Sequence, residues 1–236
     1  MKFKKTIFLI LISSKLLCQK TQIEMKNNVP NSVEIIDNHL DQFFDKSEDI
    51  VVFDEIESEI IHRDIYFIKA SKDRLYHILL SCGMSALPMK IPGDVQSSDL
   101  AEVMILLPEE WNLEYESFSD KRNYWPIRIM KELMMLPHAN ETWLGYGHTF
   151  GHEDDDELAN GIGFVSVMLV YSMELSEEFT TIKLDNDKHI DIFTVIPLYK
   201  EELQFKKENS SSDLLEKFDQ YSIDEIVKVG RKNICK

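Results

Sequence analysis

Side chains able to do chemistry are grouped at three places in this chain. The first is His62-Arg63-Asp64, where two-residue spacing would put His62 and Asp64 on one face of a strand, the minimum of an acid/base pair. No nucleophile or third partner lies beside them, so an ordinary polar contact between strands is the plainer reading of the pair. The second is Ser81-Cys82-Gly83-Met84-Ser85. It lacks the Gly-x-Ser-x-Gly order of a nucleophile elbow and reads instead as a loop shaped by glycine and proline and anchored by Met84 and Met89. The third is His148 with His152, Glu153, Asp154, Asp155, Asp156 and Glu157. Carboxylates beside histidines raise a metal reading, yet calcium loops alternate their carboxylates around a glycine bend, and zinc needs histidine or cysteine at fixed spacing. His152-Glu153 is followed by acids alone, so the zinc-protease pattern His-Glu-x-x-His is absent. That leaves a solvated loop or a patch that meets a partner, and Glu153, Asp154, Asp155, Asp156 and Glu157 are the candidate partner-binding residues. A hydrolase assembled from His62, Asp64, His148 and His152, with or without a metal, is one alternative, and an exported scaffold domain of unknown partner is another.

Cys18, Cys82 and Cys235 form no Cys-x-x-Cys pair and no metal spacing. If Cys18 is removed by processing, Cys82 and Cys235 are free to pair in an oxidising compartment. No phosphate loop or other cofactor motif stands out, and no cofactor is expected.

The elements that must position these residues are legible from periodicity. Tyr124 to Phe150 organises the chain: Pro126 suits a first helical turn and Pro137 bars extension past Leu136, which predicts a helix of about three turns. Ile127, Met130, Leu133 and Met134 would face a sheet, with Arg128, Lys131 and Glu132 largely outside that face. Trp143-Leu144-Gly145-Tyr146-Gly147-His148 follows as a packed corner or the lining of a pocket, with His148 at its rim. Upstream, Asn31 and Glu34 have capping-box spacing before a helix from Val33 to Phe44, whose outer face carries Glu34, Asp37, Asp41 and Asp45. Ile50–Phe53, Ile60–Lys69, Tyr76–Ser81 and Ala101–Leu107 read as strands of a mainly antiparallel sheet. Glu109-Glu110-Trp111 opens an exposed segment. Gly163–Tyr171 reads as a buried strand, and Thr180–Leu184 with Ile190–Pro197 as a hairpin. Two short helices follow, Tyr199–Lys207 with Leu203 on the sheet side, and Leu214–Tyr221 capped by Asp213 with Glu216 in the reciprocal position. The basic tail from Ile226 is a candidate last strand.

At 236 residues the chain has room for one domain, and its 44% hydrophobic and 29% charged content are those of a globular protein. The net charge of −16 stands out. It disfavours nucleic acid and anionic membrane surfaces and favours a basic protein partner. Lys2, Lys4 and Lys5, the apolar run Ile7–Ile12 and the short segment to Cys18 have the order of a secretory signal, too short to span a bilayer. The expected organisation is a leader at 1–18, a linker at 19–30 and a folded body at 31–236. The protein is then exported or periplasmic; an ordinary apolar N-terminal element would leave it cytoplasmic. Removing residues 1–18 takes away four lysines and no acid, moving the charge from −16 to −20.

Several strings also occur together in a known order: His62-Arg63-Asp64-Ile65-Tyr66, SCGMSALPM at 81–89, AEVMILLPEEW at 101–111, YWPIRIMKELMMLPH at 124–138, TWLGYGHT at 142–149, IPLYKEELQFK at 196–206 and GRKN at 230–233. This arrangement resembles the suppressor of fused domain family from about Asn31 to about Asn233. The resemblance implies a single mixed α/β (α+β) domain with a twisted, mainly antiparallel sheet flanked by helices. It also implies a binding protein without enzymatic activity. Animal members hold a transcription-factor peptide as a strand added beside the sheet, and many bacterial members resemble immunity proteins that neutralise a cognate toxin. The chain departs from the family in its leader-like N-terminus and in the Ser81-Cys82 pair. A counterpart of the animal proteins' second domain is also not expected in it.

Overall fold

A computed structural model describes residues 32–44, 50–53, 60–151, 156–185 and 187–236. The leader, the linker, Asn31, Asp45, His152, Glu153, Asp154 and Asp155 lie outside those residues. In chain order the elements are α1 (Ser32–Phe43), β1 (Ile50–Phe53), β2 (Asp64–Ile68), β3 (Tyr76–Cys82), β4 (Leu100–Pro108), α2 (Lys121–Ala139), β5 (Thr149–Gly151), β6 (Phe164–Val170), α3 (Glu177–Thr180), β7 (Thr181–Lys183), β8 (His189–Tyr199), α4 (Lys200–Glu208) and α5 (Ser211–Gln220).

The eight strands form one sheet in the order β1-β2-β3-β4-β8-β6-β5, with β7 paired to the start of β8. All pairings are antiparallel except β4 with β8, which run parallel from Leu100 opposite Ile190 to Met104 opposite Thr194. This is the mixed α/β, mainly antiparallel single domain expected. Strand alternation divides the core. Ile65, Phe67, Leu79, Val103, Ile105 and Val195 share one cluster with α2, whereas Tyr66, Ile68, Ile78, Leu80, Met104 and Ile192 share another with α1. On that second face, Met168, Ile196 and Leu198 pack beneath α4 and α5. Beyond Met104, β4 parts from β8: Leu106 bridges to Ile226, and the Val227 amide donates to the Leu106 carbonyl at 2.9 Å. The tail thus adds one bridge there rather than a strand.

Ile127, Met130, Leu133 and Met134 are buried on α2 as the spacing predicts, but the helix limits differ. The Asp120 carboxylate accepts from the Arg122 amide and starts the helix well before Pro126, and both Pro126 and Pro137 lie inside it, buried. Burial against the sheet sustains the helix through two residues that each lack one amide donor. Lys131, expected largely outside the apolar face, is buried as well. Ser210 caps α5 by accepting from the Asp213 amide, so Asp213 stands in the first turn rather than at the cap. β2 begins at Asp64, so His62 precedes the strand and the alternation argument does not apply to it. Cys82 and Cys235 are free thiols in separate clusters, not a disulfide.

Candidate protein-binding surface

The Ser81–Ser85 segment closes around one side chain. Glu102 is fully buried on β4. It accepts from Ser81 Oγ at 2.5 Å, the Gly83 amide at 3.0 Å, the Ser85 amide at 2.9 Å and Ser85 Oγ at 2.7 Å. Burial raises the Glu102 acid, and these four donors pull it back down. The segment returns past β2 only because residue 83 is glycine: its φ is +123°, and a Cβ there would meet the His62 carbonyl oxygen at 2.2 Å. Ser81 Oγ also accepts from the Val103 amide at 2.8 Å. Both hydroxyls therefore hold a turn in place, and burial pushes the neighbouring Cys82 thiol up, away from a reactive thiolate.

Two further buried acids tie down the C-terminal segment. Arg231 meets Glu202 at the start of α4 with two hydrogen bonds of 2.6 Å, their side chains 8% and 0% exposed. The guanidinium also donates to the Pro197 carbonyl and lies 4.9–5.4 Å from the ring centres of Tyr199, Phe218 and Phe164. Glu225 accepts from Ser172 Oγ at 2.7 Å and from the Met173 amide. The histidines are similarly engaged. His77 Nδ1 accepts from the Ala70 amide at 2.8 Å, so Nε2 carries the proton and donates to the Glu109 carbonyl at 3.0 Å. His39 and His138 meet the carbonyls of Phe179 and Met84 at 2.8 and 2.9 Å.

Of the alternative hydrolase set, His62, Asp64 and His148 are not brought together, and His152 lies outside the described residues. His62 is exposed ahead of β2, and Asp64 is half-buried opposite Cys82. His148 lies beyond β6, its ring 4.3 Å from that of Trp143. With β3, β4 and β8 between β2 and β6, the two groups are on the order of 20 Å apart across the sheet. Among the described residues no three His, Cys, Asp or Glu side chains are grouped to hold a metal ion.

What reaches the surface is a sheet edge bounded by acids. β5 ends the sheet on one side, and among the described residues no strand lies beyond it; β1 ends the other. The loop from β5 to β6 carries the five-acid run. Asp156 and Glu157 are exposed, and Glu157 Oε2 accepts from the Gly161 amide at 2.5 Å. Leu158 is buried, and Arg128 donates to its carbonyl at 2.5 Å, which fixes the far end of the loop to α2. An edge strand offers unpaired main-chain donors and acceptors, and the acids give that edge a sign. Sequence reasoning missed the buried carboxylates, since one Glu among 42 acidic residues carries no local mark of burial. It also missed the stacking of the exposed Tyr146 and Tyr171 rings, their centres 5.5 Å apart, which meet only because the Gly147 amide pairs with the Leu169 carbonyl.

The suppressor of fused protein (SUFU) family matches residues 60–232. The fold is similar to that of a suppressor of fused homologue from Neisseria gonorrhoeae FA 1090, with a TM-score of 0.63 and 16% identity over 85% of this chain and 95% of that one. It is similar to a chain of the Sufu–Fu complex, with a TM-score of 0.61 and 12% identity over 88% and 93%. Drosophila Suppressor of Fused gives a TM-score of 0.60 and 11% identity over 87% of this chain and 52% of its own, so this chain spans about half of that protein. At such identities the likeness is one of fold. No curated protein matches the sequence.

Proposed function

Because the chain belongs to the suppressor of fused protein family, we propose that it is an immunity protein, a protein-binding module that neutralises a cognate toxin by occupying it. Binding as the mode of action is supported by the Sufu–Fu complex, in which a protein of this fold is found with a protein partner. It is supported as well by the buried ionisable groups. Glu102, Glu202, Glu225, His77 and Arg231 are each committed to hydrogen bonds that hold turns, strand ends and the tail.

The observation that carries the choice of partner is charge. A net charge of −16, with five consecutive acids in the sequence after β5, of which Asp156 and Glu157 are described and exposed, favours a basic partner such as a nuclease-like toxin domain, and complementary charge speeds their encounter. The leader-like N-terminus supports action outside the cytoplasm, where such a toxin would arrive. Neutralisation requires no bond to be made or broken. The partner is expected to be encoded beside this gene and to form a one-to-one complex. In a strain lacking this gene, expression of the neighbouring product should arrest growth, and restoring the gene should lift the arrest. Growth indifferent to the neighbour in the deletion strain would exclude the immunity role.

A further inference from the structure

Tyr146 and Tyr171 are 41% and 52% exposed, and their rings stack within 10° of parallel with centres 5.5 Å apart. Tyr146 lies in the corner after α2, and Tyr171 follows β6. The main chain ties the two segments together: the Gly147 amide donates to the Leu169 carbonyl at 2.7 Å, and the Leu169 amide donates to that of His148 at 2.9 Å. Gly147 makes this approach with φ +78°, and a Cβ there would meet Ser211 Oγ at 2.5 Å. The buried Phe193 ring backs Tyr171 with its centre 5.4 Å away, so the exposed stack rests on the core. Stacked rings touch at about 3.5–4 Å, so centres 5.5 Å apart imply a sideways offset of about 4 Å, and edge carbons of one ring lie against edge carbons of the other. Burial first, then the charges of Asp191 and Tyr146, pushes the Tyr171 phenol up, which puts the two phenol oxygens within electrostatic reach of each other. The Tyr171 phenol therefore stays protonated at neutral pH, and an electron taken from it leaves with a proton.

We propose that Tyr146 and Tyr171 form a site of oxidative cross-linking, at which a one-electron oxidant of the haem-peroxidase class joins the two rings as dityrosine. Each phenol gives up one electron and one proton to become a tyrosyl radical. The unpaired electrons then form a carbon–carbon bond between positions ortho to the two hydroxyls. Each of those carbons loses its hydrogen as a proton while its oxygen takes one up, which restores both aromatic rings. The two electrons and two protons released reduce hydrogen peroxide to water. The link closes a loop from Tyr146 to Tyr171 that contains β5, the acidic run and β6. Among the described residues Cys82 and Cys235 are free thiols, so a disulfide between them does not hold this corner. The leader-like N-terminus would deliver the chain to an oxidising compartment. The site stands apart from the neutralising role, which requires no covalent step.

The test treats the full chain, kept dilute, with a haem peroxidase and limiting hydrogen peroxide, and follows dityrosine fluorescence and the intact mass of the monomer. Wild type should gain the fluorescence and lose the mass of two hydrogens while remaining a monomer. Its digest should contain one linked pair of peptides, holding Tyr146 and Tyr171. Tyr146→Phe and Tyr171→Phe keep the rings but form no phenoxyl radical, and each should lose the monomer signal. Tyr221→Phe, at a tyrosine 48% exposed after α5, should retain it. Should a phenylalanine variant fail to fold, the peptide map of wild type decides by itself. Monomer fluorescence that persists in both variants, cross-links found only between molecules, peptides joined through other tyrosines, or an unchanged monomer mass would overturn the site.

Discussion

Arg231 is held between Glu202 and three aromatic rings, where neither member of the ion pair reaches bulk water. Removing the guanidinium strands a buried carboxylate, and Arg231→Ala should lower unfolding free energy by about 3–5 kcal/mol in urea titrations. Arg231→Lys should not restore it, because one ammonium cannot make both hydrogen bonds and the stacking contacts. The histidines set a dependence on pH. Burial lowers His39, His77 and His138 below their ordinary 6.5, against a smaller upward pull from carbonyl contacts. A depressed folded pKa means that their contribution is complete above 6.5 and is lost as pH falls through the lower, folded value. Glu102 and Glu225, both raised by burial, act with the opposite sign. The histidine part is therefore read by difference: thermal melts from neutral pH into the mildly acidic range should fall more steeply for wild type than for His77→Gln.

At the scale of elements, the sequence exposes what repeats locally and hides what depends on distant pairing. β1 was legible to the residue, and β6, β8 and α1 to within a few residues, because a run of β-branched and other apolar residues marks each strand and helical spacing marks α1. The limits of α2 were misread because Pro126 and Pro137 look like boundaries, while the cap that starts the helix is a single Asp120 carboxylate. Asp120→Ala should remove that cap and lower the midpoint of unfolding in urea titrations. The parallel contact of β4 with β8, and the gap where Ile226 meets Leu106, join residues far apart in the chain, and no local pattern announces them. Resemblance supplied part of what periodicity could not, since AEVMILL and GRKN contain Glu102 and Arg231, although it gave neither a partner inside the fold. Gly83→Ala should lose on the order of 1–3 kcal/mol from backbone conformation alone, before the contact with the His62 carbonyl is counted.

For the whole molecule, the charge of −16 on a fold shared with protein-binding relatives turns the account into one about encounter and occupancy. Association with a basic partner should slow by about tenfold or more between about 0.05 and 0.5 M salt, with the dissociation rate changing far less. Exposed acids in the loop after β5 should govern that slope, and Asp156→Asn with Glu157→Gln should flatten it without altering thermal stability. The most direct measurement is titration of the purified protein with the purified product of the adjacent gene, followed by assay of that product's toxic activity across the same series. Activity that falls to zero at one equivalent, in step with formation of a one-to-one complex, is the result the account predicts. Full activity in the presence of excess protein, or its loss at substoichiometric amounts as a catalyst would produce, would contradict it.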